Sequence, residues 1–249
     1  MDQNNRIIFA LDVGNMDLAR QWVRTLKGHV GWFKVGLELF TAVGPDVVTL
    51  VKENDLKCFL DLKLHDIPNT VAGAVKSAVR TGADMMTIHL SGCRAMINAA
   101  LKAAQEESQV LGIERPKIVG VSVLTSLSAE DLKEIGIDKT PSEHVAHLAR
   151  FAASCGADGL VCSAEDLVQI RSKVPETLIL ITPGIRPSWS QKGDQKRIAT
   201  PQAAMHAGAN LLVIGRPISD APDPVQAVQM IAQEMESDSE KKVSQRLSQ

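Results

Sequence analysis

Leu60-Asp61-Leu62-Lys63-Leu64-His65-Asp66-Ile67-Pro68-Asn69-Thr70 is the stretch on which the fold turns. It continues the apolar run Cys58-Phe59-Leu60 and leads into a helical pattern over 70–81. The spacing predicts a strand over 57–63 that ends in charge, a turn toward Pro68, and then a helix. Strand side chains alternate faces, so Asp61 and Lys63 point to the same side. Charged groups are seldom buried unless paired, and a lone D-x-K at a strand end is more often a structural ion pair than a catalytic one. The rest of the chain decides between the two.

Working outward, β-branched runs recur at 7–13, 32–36, 85–90, 118–124, 159–163, 178–182 and 211–215. Helical patterns alternate with them, for example at 16–27, 94–107, 142–154, 164–173, 201–207 and 224–236. Several runs are apolar on both faces, as parallel strands covered by helices should be. Glycine follows several helical patterns, at Gly28, Gly82, Gly156 and Gly208, where a helix C-terminus favours it. The turns Thr81-Gly82-Ala83-Asp84, Ser154-Cys155-Gly156-Ala157-Asp158 and His206-Ala207-Gly208-Ala209-Asn210 repeat one another, a signature of a repeated βα unit. Eight such units without a linker predict the α/β class and a single (β/α)8 TIM barrel over 1–236. The charged, Ser- and Gln-rich stretch 237–249 reads as a disordered tail.

Composition narrows the function classes. The 249 residues are 45% apolar and 22% charged, ordinary for a globular protein with a large core. A net charge of −2 argues against general affinity for nucleic acid or an anionic membrane. Cys58, Cys93, Cys155 and Cys162 form no C-x-x-C pair, and read as reduced, packed thiols of a cytoplasmic protein. The polar start Met1-Asp2-Gln3-Asn4-Asn5-Arg6 has no signal-peptide pattern, and no apolar run is long enough for a bilayer.

A barrel of this kind carries its chemistry at the carboxyl ends of the strands. Collecting the polar residues there gives Asp12, Lys34, Asp61, Lys63 and Asp66 on three consecutive strands, with His89, Thr125 and Ser126 beyond. Two lysines and three carboxylates in one mouth are hard to explain as packing. The loops after strands 7 and 8 hold Gly184 with Arg186 and Gly215 with Arg216. That is where barrels often bind phosphate, with backbone N–H groups exposed by glycine and a guanidinium beside them. The polar stretch 187–197 reads as a loop able to close over that phosphate.

These residues carry a family resemblance. Asp61-x-Lys63-x-x-Asp66-Ile67-Pro68-Asn69-Thr70, with Ala10-Leu11-Asp12, Lys34-Val35-Gly36, Leu124-Thr125-Ser126, Thr182-Pro183-Gly184-Ile185-Arg186-Pro187 and Gly215-Arg216-Pro217-Ile218, closely resembles the bacterial type of the orotidine 5′-phosphate decarboxylase family. The resemblance runs from about Ile7 to the last helix and excludes the tail. It implies cofactor-free, metal-free decarboxylation of orotidine 5′-phosphate to uridine 5′-phosphate, in a homodimer with shared active sites. By the same resemblance Lys63 donates a proton to C6 and Asp61 lies by the departing carboxylate. Lys34 reaches the ribose, and Asp12 binds a ribose hydroxyl. Asp66 and Thr70 come from the partner subunit, Thr125 and Ser126 lie at the pyrimidine, and Arg186, Gln195, Gly215 and Arg216 hold the phosphate.

The chemistry agrees. Loss of CO2 from C6 leaves a vinyl carbanion with no adjacent carbonyl to delocalise it. Stabilisation then falls to fixed charges, and a lysine between carboxylates stays protonated and able to donate. A metal-dependent sugar-phosphate decarboxylase or aldolase of the same superfamily is the nearest alternative. An ammonium at Lys34 opposes it, because it has no lone pair for a metal. A silent phosphate-ligand-binding barrel and a Schiff-base aldolase stand further off. His144 and His147 read as a solvated helix face and His65 as a structural hydrogen-bonding residue. Met85, Met86, Trp22, Trp32 and Trp189 read as packing.

Overall fold

The computed structural model of the chain describes residues 3–190 and 199–236. Its strands are β1 (Ile7–Ala10), β2 (Trp32–Val35), β3 (Lys57–Leu64), β4 (Met85–His89), β5 (Lys117–Val121), β6 (Gly159–Val161), β7 (Ile179–Thr182) and β8 (Leu211–Ile214). Each pairs in parallel with the next, and β8 pairs with β1 to close a barrel. The covering helices are α1 (Met16–Leu26), α2 (Leu37–Val43), α3 (Asp46–Lys52), α4 (Pro68–Arg80), α5 (Cys93–Leu111), α6 (Ala129–Glu134), α7 (Pro141–Cys155), α8 (Ala164–Ile170), α9 (Pro201–His206), α10 (Arg216–Ser219) and α11 (Pro224–Glu236). The expected (β/α)8 barrel is present strand for strand. Helices α2, α3, α6 and α10 add to those predicted. The stretch 237–249 lies outside the described residues.

Alternation along the strands sorts side chains into two cores. Ile8, Trp32, Phe59, Met85, Val119 and Ile181 fill the barrel interior. Ile7, Phe9, Phe33, Cys58, Leu60, Met86 and Ile88 face outward under the helices. All four residues of β1 are buried for this reason. Phe9 packs on Trp22 and Phe33 at centroid distances of 5.2 and 5.9 Å. Burying each such side chain contributes about 1.5–3 kcal/mol. The same period of two that puts Trp32, Phe59 and Met85 inside lifts Lys34, Asp61 and Thr87 to the top of the interior. The fold thus aims polar groups into the mouth by continuing the pattern of its apolar floor.

The repeated turns do a specific job at the opposite rim. Asp84 Oδ2 accepts the Cys58 N–H at 2.7 Å while its own N–H donates to the Cys58 carbonyl. Asp158 treats Ile118 identically, and Asn210 does so with Leu180. Lys52 pairs with Asp84 at 2.7 Å, and Arg115 with Asp158 at 2.5 and 2.9 Å. From the segment before β1, Arg6 donates to the carbonyls of Ala209 and Asn210 at 2.9 and 3.0 Å.

Cys58 and Cys162 are buried. Burial, reinforced by Asp84, pushes the Cys58 thiol up to about 12. Cys93 departs from the expected packing, since it is exposed. His144 departs as well: it is half-buried beside His147, with Nδ1 shielded from solvent, so only His147 lies on the solvated face. No helix among the described residues is long and apolar enough to cross a membrane.

Candidate active site

Four of the predicted residues form one row across β1, β2 and β3. Asp12 Oδ1 receives Lys34 Nζ at 2.9 Å. Lys34 Nζ also lies 3.9 Å from Asp61 Oδ2, which receives Lys63 Nζ at 2.9 Å. The charges alternate along the row, so each ammonium is offset by a carboxylate. Lys34 and Asp61 have side chains only 12% and 13% exposed, whereas Lys63 is 31% exposed and therefore open to a ligand. Gly36 leaves room for the first pair, since a Cβ there would lie 2.9 Å from Lys34 Nζ and 3.2 Å from Asp12 Oδ1.

Asp61 and Lys63 meet as expected, but not by simple alternation. Leu60 pairs with Met86 and Leu64 with Ile88, so β3 advances four residues while β4 advances two. Lys63 sits in this bulge with φ +52°. That region costs a residue with a Cβ about 1–2 kcal/mol, and such local strain collects at functional sites. The bulge takes the Lys63 N–H out of the ladder, and Thr87 of β4 accepts it at 2.8 Å. The Thr87 hydroxyl in turn donates to Asp61 Oδ1 at 3.0 Å. Sequence reasoning missed Thr87, since a threonine inside an apolar strand reads as an ordinary β-former.

Two cavities flank the row and share Lys34, Pro183 and Val213. One, of about 200 Å³, is lined by Asp61, Lys63, Phe59, Val121, Val123, Leu124, Thr125, Val161 and Cys162. Its walls are mostly apolar and suit a flat ring. The other, of about 220 Å³, is lined by Asp12, Gly184, Arg186, Gly215 and Arg216. It suits an anion. Gly184 takes φ +78°, which glycine adopts without strain. Ile185 bridges to Ala199, and the Arg186 N–H donates to the Ala199 carbonyl at 2.9 Å, pinning the loop after β7 at its base. Trp189, 40% exposed, lines a further space beside Arg186 and Arg216. Gln195 and most of the loop expected at 187–197 lie outside the described residues.

Other predicted residues stand apart. Asp66 is exposed, with Oδ1 accepting the N–H of Ile67 at 2.6 Å. Thr70 is exposed on α4, and Ser126 is exposed outside the lining of both cavities, whereas Thr125 lines the apolar one. His65 stacks on His89 with ring centroids 5.4 Å apart, in place of the expected structural hydrogen bond. His89 Nδ1 lies 3.0 Å from Ser91 Oγ. Burial, then the neighbouring His65 and Lys63, hold the His89 imidazole below its ordinary 6.5. The Lys34 ammonium lies between Asp12 and Asp61 and has no lone pair to offer a metal ion.

A family model described as orotidine 5′-phosphate decarboxylase / HUMPS family matches residues 5–231. The chain belongs to this family. Among its decarboxylase relatives, orotidine 5′-phosphate decarboxylase of Moorella thermoacetica is 47% identical over 237 residues, covering 95% of this chain and 94% of that protein. The enzyme of the same name from Syntrophotalea carbinolica is 45% identical, over 94% of this chain and 96% of its own. The crystal structure of orotidine 5′-phosphate decarboxylase from Lactobacillus acidophilus superposes with a TM-score of 0.83 at 34% identity, covering 93% of this chain and 99% of that one. The family and the barrel thus agree with the resemblance carried by the β3 motif.

Proposed function

We propose that this chain converts orotidine 5′-phosphate to uridine 5′-phosphate and CO2, a step of de novo pyrimidine biosynthesis, in the cytoplasm and without a cofactor. One observation carries the reading: the alternating row Asp12–Lys34–Asp61–Lys63 stands between an apolar cavity and a cavity rimmed by Arg186 and Arg216. The substrate has the matching order of parts. Its phosphate goes to the Gly184, Arg186, Gly215 and Arg216 side, with Gln195 completing the contacts. Its ribose meets Asp12 and Lys34, and its pyrimidine enters between Val121, Val161 and Thr125.

In that pose the C6 carboxylate faces Asp61 and C6 faces Lys63 Nζ. The C6–carboxylate bond breaks heterolytically, CO2 departs, and the electron pair remains on C6. Lys63 Nζ gives up a proton to C6, and the neutral amine recovers one from water. An ammonium beside apolar walls stabilises the developing charge more than it would in water. Enzymatic rate enhancements correspond to about 8–23 kcal/mol, and one preorganised donor supplies roughly 3–4. Phosphate binding energy, released into ordering of the site, supplies much of the rest.

The same reading makes residues 1–236 the catalytic domain, with 237–249 an appended tail, and makes the protein a homodimer. The exposed Asp66 and Thr70 then serve the partner's site. An absorbance assay with orotidine 5′-phosphate, in chelator, is the direct test. Wild type turns over and Lys63→Ala loses about 10³-fold or more. Undiminished turnover in the variant, or none in wild type, overturns the reading, and a metal requirement favours the sugar-phosphate alternative. Mixing inactive Lys63→Ala and Asp66→Ala chains restores about a quarter of wild-type activity if sites are shared across a two-fold dimer. No recovery counts against Asp66 acting across the interface.

A further inference from the structure

Thr87 is fully buried in the middle of β4, on the face that turns into the barrel mouth. A buried hydroxyl must find partners for one proton and its lone pairs. Here the lone pair goes to the Lys63 N–H that the β3 bulge removed from the ladder, and the proton goes to Asp61 Oδ1. The other Asp61 oxygen holds Lys63 Nζ. The contacts form a closed ring: Lys63 backbone to Thr87, Thr87 to Asp61, and Asp61 to the Lys63 ammonium.

We propose that Thr87 is the positioning residue of this row, its hydroxyl fixing at once the backbone of the proton donor and the rotamer of the carboxylate beside it. The inference rests on the decarboxylase reading above. Lysine has four rotatable side-chain bonds, and its ammonium is well placed only if both ends of the side chain are held. Without the hydroxyl, the Lys63 N–H and Asp61 Oδ1 each lose a partner beside a fully buried position. The left-handed turn at Lys63 and the Asp61 rotamer then lose their common support. Misplacing a reacting group by about 1 Å can cost about 10²-fold in rate.

The test compares Thr87→Val, which keeps the shape and removes the hydroxyl, with Thr87→Ser, which keeps the hydroxyl. Binding-competent sites are counted by calorimetric titration with uridine 5′-phosphate, so that partial unfolding does not pass for slow chemistry. Per competent site, Thr87→Val loses about 10- to 100-fold in kcat while KM moves less than about threefold. Thr87→Ser stays within about threefold of wild type. Should Thr87→Val fail to fold, Thr87→Ala carries the same expectation. Wild-type kcat in Thr87→Val, or Thr87→Ser as slow as Thr87→Val, overturns the inference. Failure of the wild type to turn over orotidine 5′-phosphate would instead overturn the functional reading beneath it.

Discussion

The two rims of the barrel use the same side chains to different ends. At the amino-terminal rim, Asp84 and Asp158 each hold a backbone N–H at 2.7 Å and a cation on the same carboxylate. At the carboxyl-terminal rim, Asp12 and Asp61 are held by side chains, namely Lys34, Lys63 and Thr87, among the described residues. A carboxylate bound to backbone ties elements together. A carboxylate bound to lysine ammonium groups leaves donors that a ligand can share. Among these four aspartates, charge type therefore does not distinguish the two rims; the partner does.

The comparison can be broken from either side. Lys63→Ala should have the largest effect on turnover and little on stability, its unfolding midpoint staying within about 3 °C of wild type. Asp158→Ala should do the reverse. It leaves the Ile118 N–H and the Arg115 guanidinium without their acceptor. The midpoint should fall by about 6–10 °C, a loss of roughly 3 kcal/mol, with kcat unchanged within about twofold. Thermal scans of both variants decide, and equal destabilisation would erase the distinction.

The smallest expected effect sharpens the picture of the upper rim. His89 in the folded protein binds its proton less readily than the ordinary 6.5. The unfolded chain then holds more protons in that window, so stability is full above about pH 6.5 and declines as pH falls below it. His89→Gln should flatten this decline. Urea midpoints at about pH 7 and about pH 5 measure it, and an unchanged pH slope would show that His89 carries none of it.

How much was legible in sequence follows the same division. Short apolar runs revealed all eight strands, because interior and exterior faces are both buried and leave β-branched stretches with little polar interruption. The helices between β2 and β3 escaped because Gly44-Pro45 splits one crossover into two short pieces. Asp61 and Lys63 were legible as a pair, yet the bulge that brings them together was not. A register shift depends on the neighbouring strand. Thr87 was invisible for the same reason, its role existing only where β3 loses a ladder acceptor. The Gly-Ala-Asx turns were visible as a repeat. Their hydrogen bonds to strands 26 to 40 residues away were not.

Arg6 has a topological consequence. Its bonds to Ala209 and Asn210 span 203 and 204 residues, whereas Asp84 reaches back only 26. Loop-closure entropy grows only logarithmically, so the longer tie costs about 2 kcal/mol more than the shorter one. Two hydrogen bonds from a charged group contribute about 1.5–3 kcal/mol each, enough to offset that difference. The ring is thus fastened where its first and last strands meet by the Arg6 clasp beside the β1–β8 ladder, and the length of chain between the two ends is a minor obstacle to closing it.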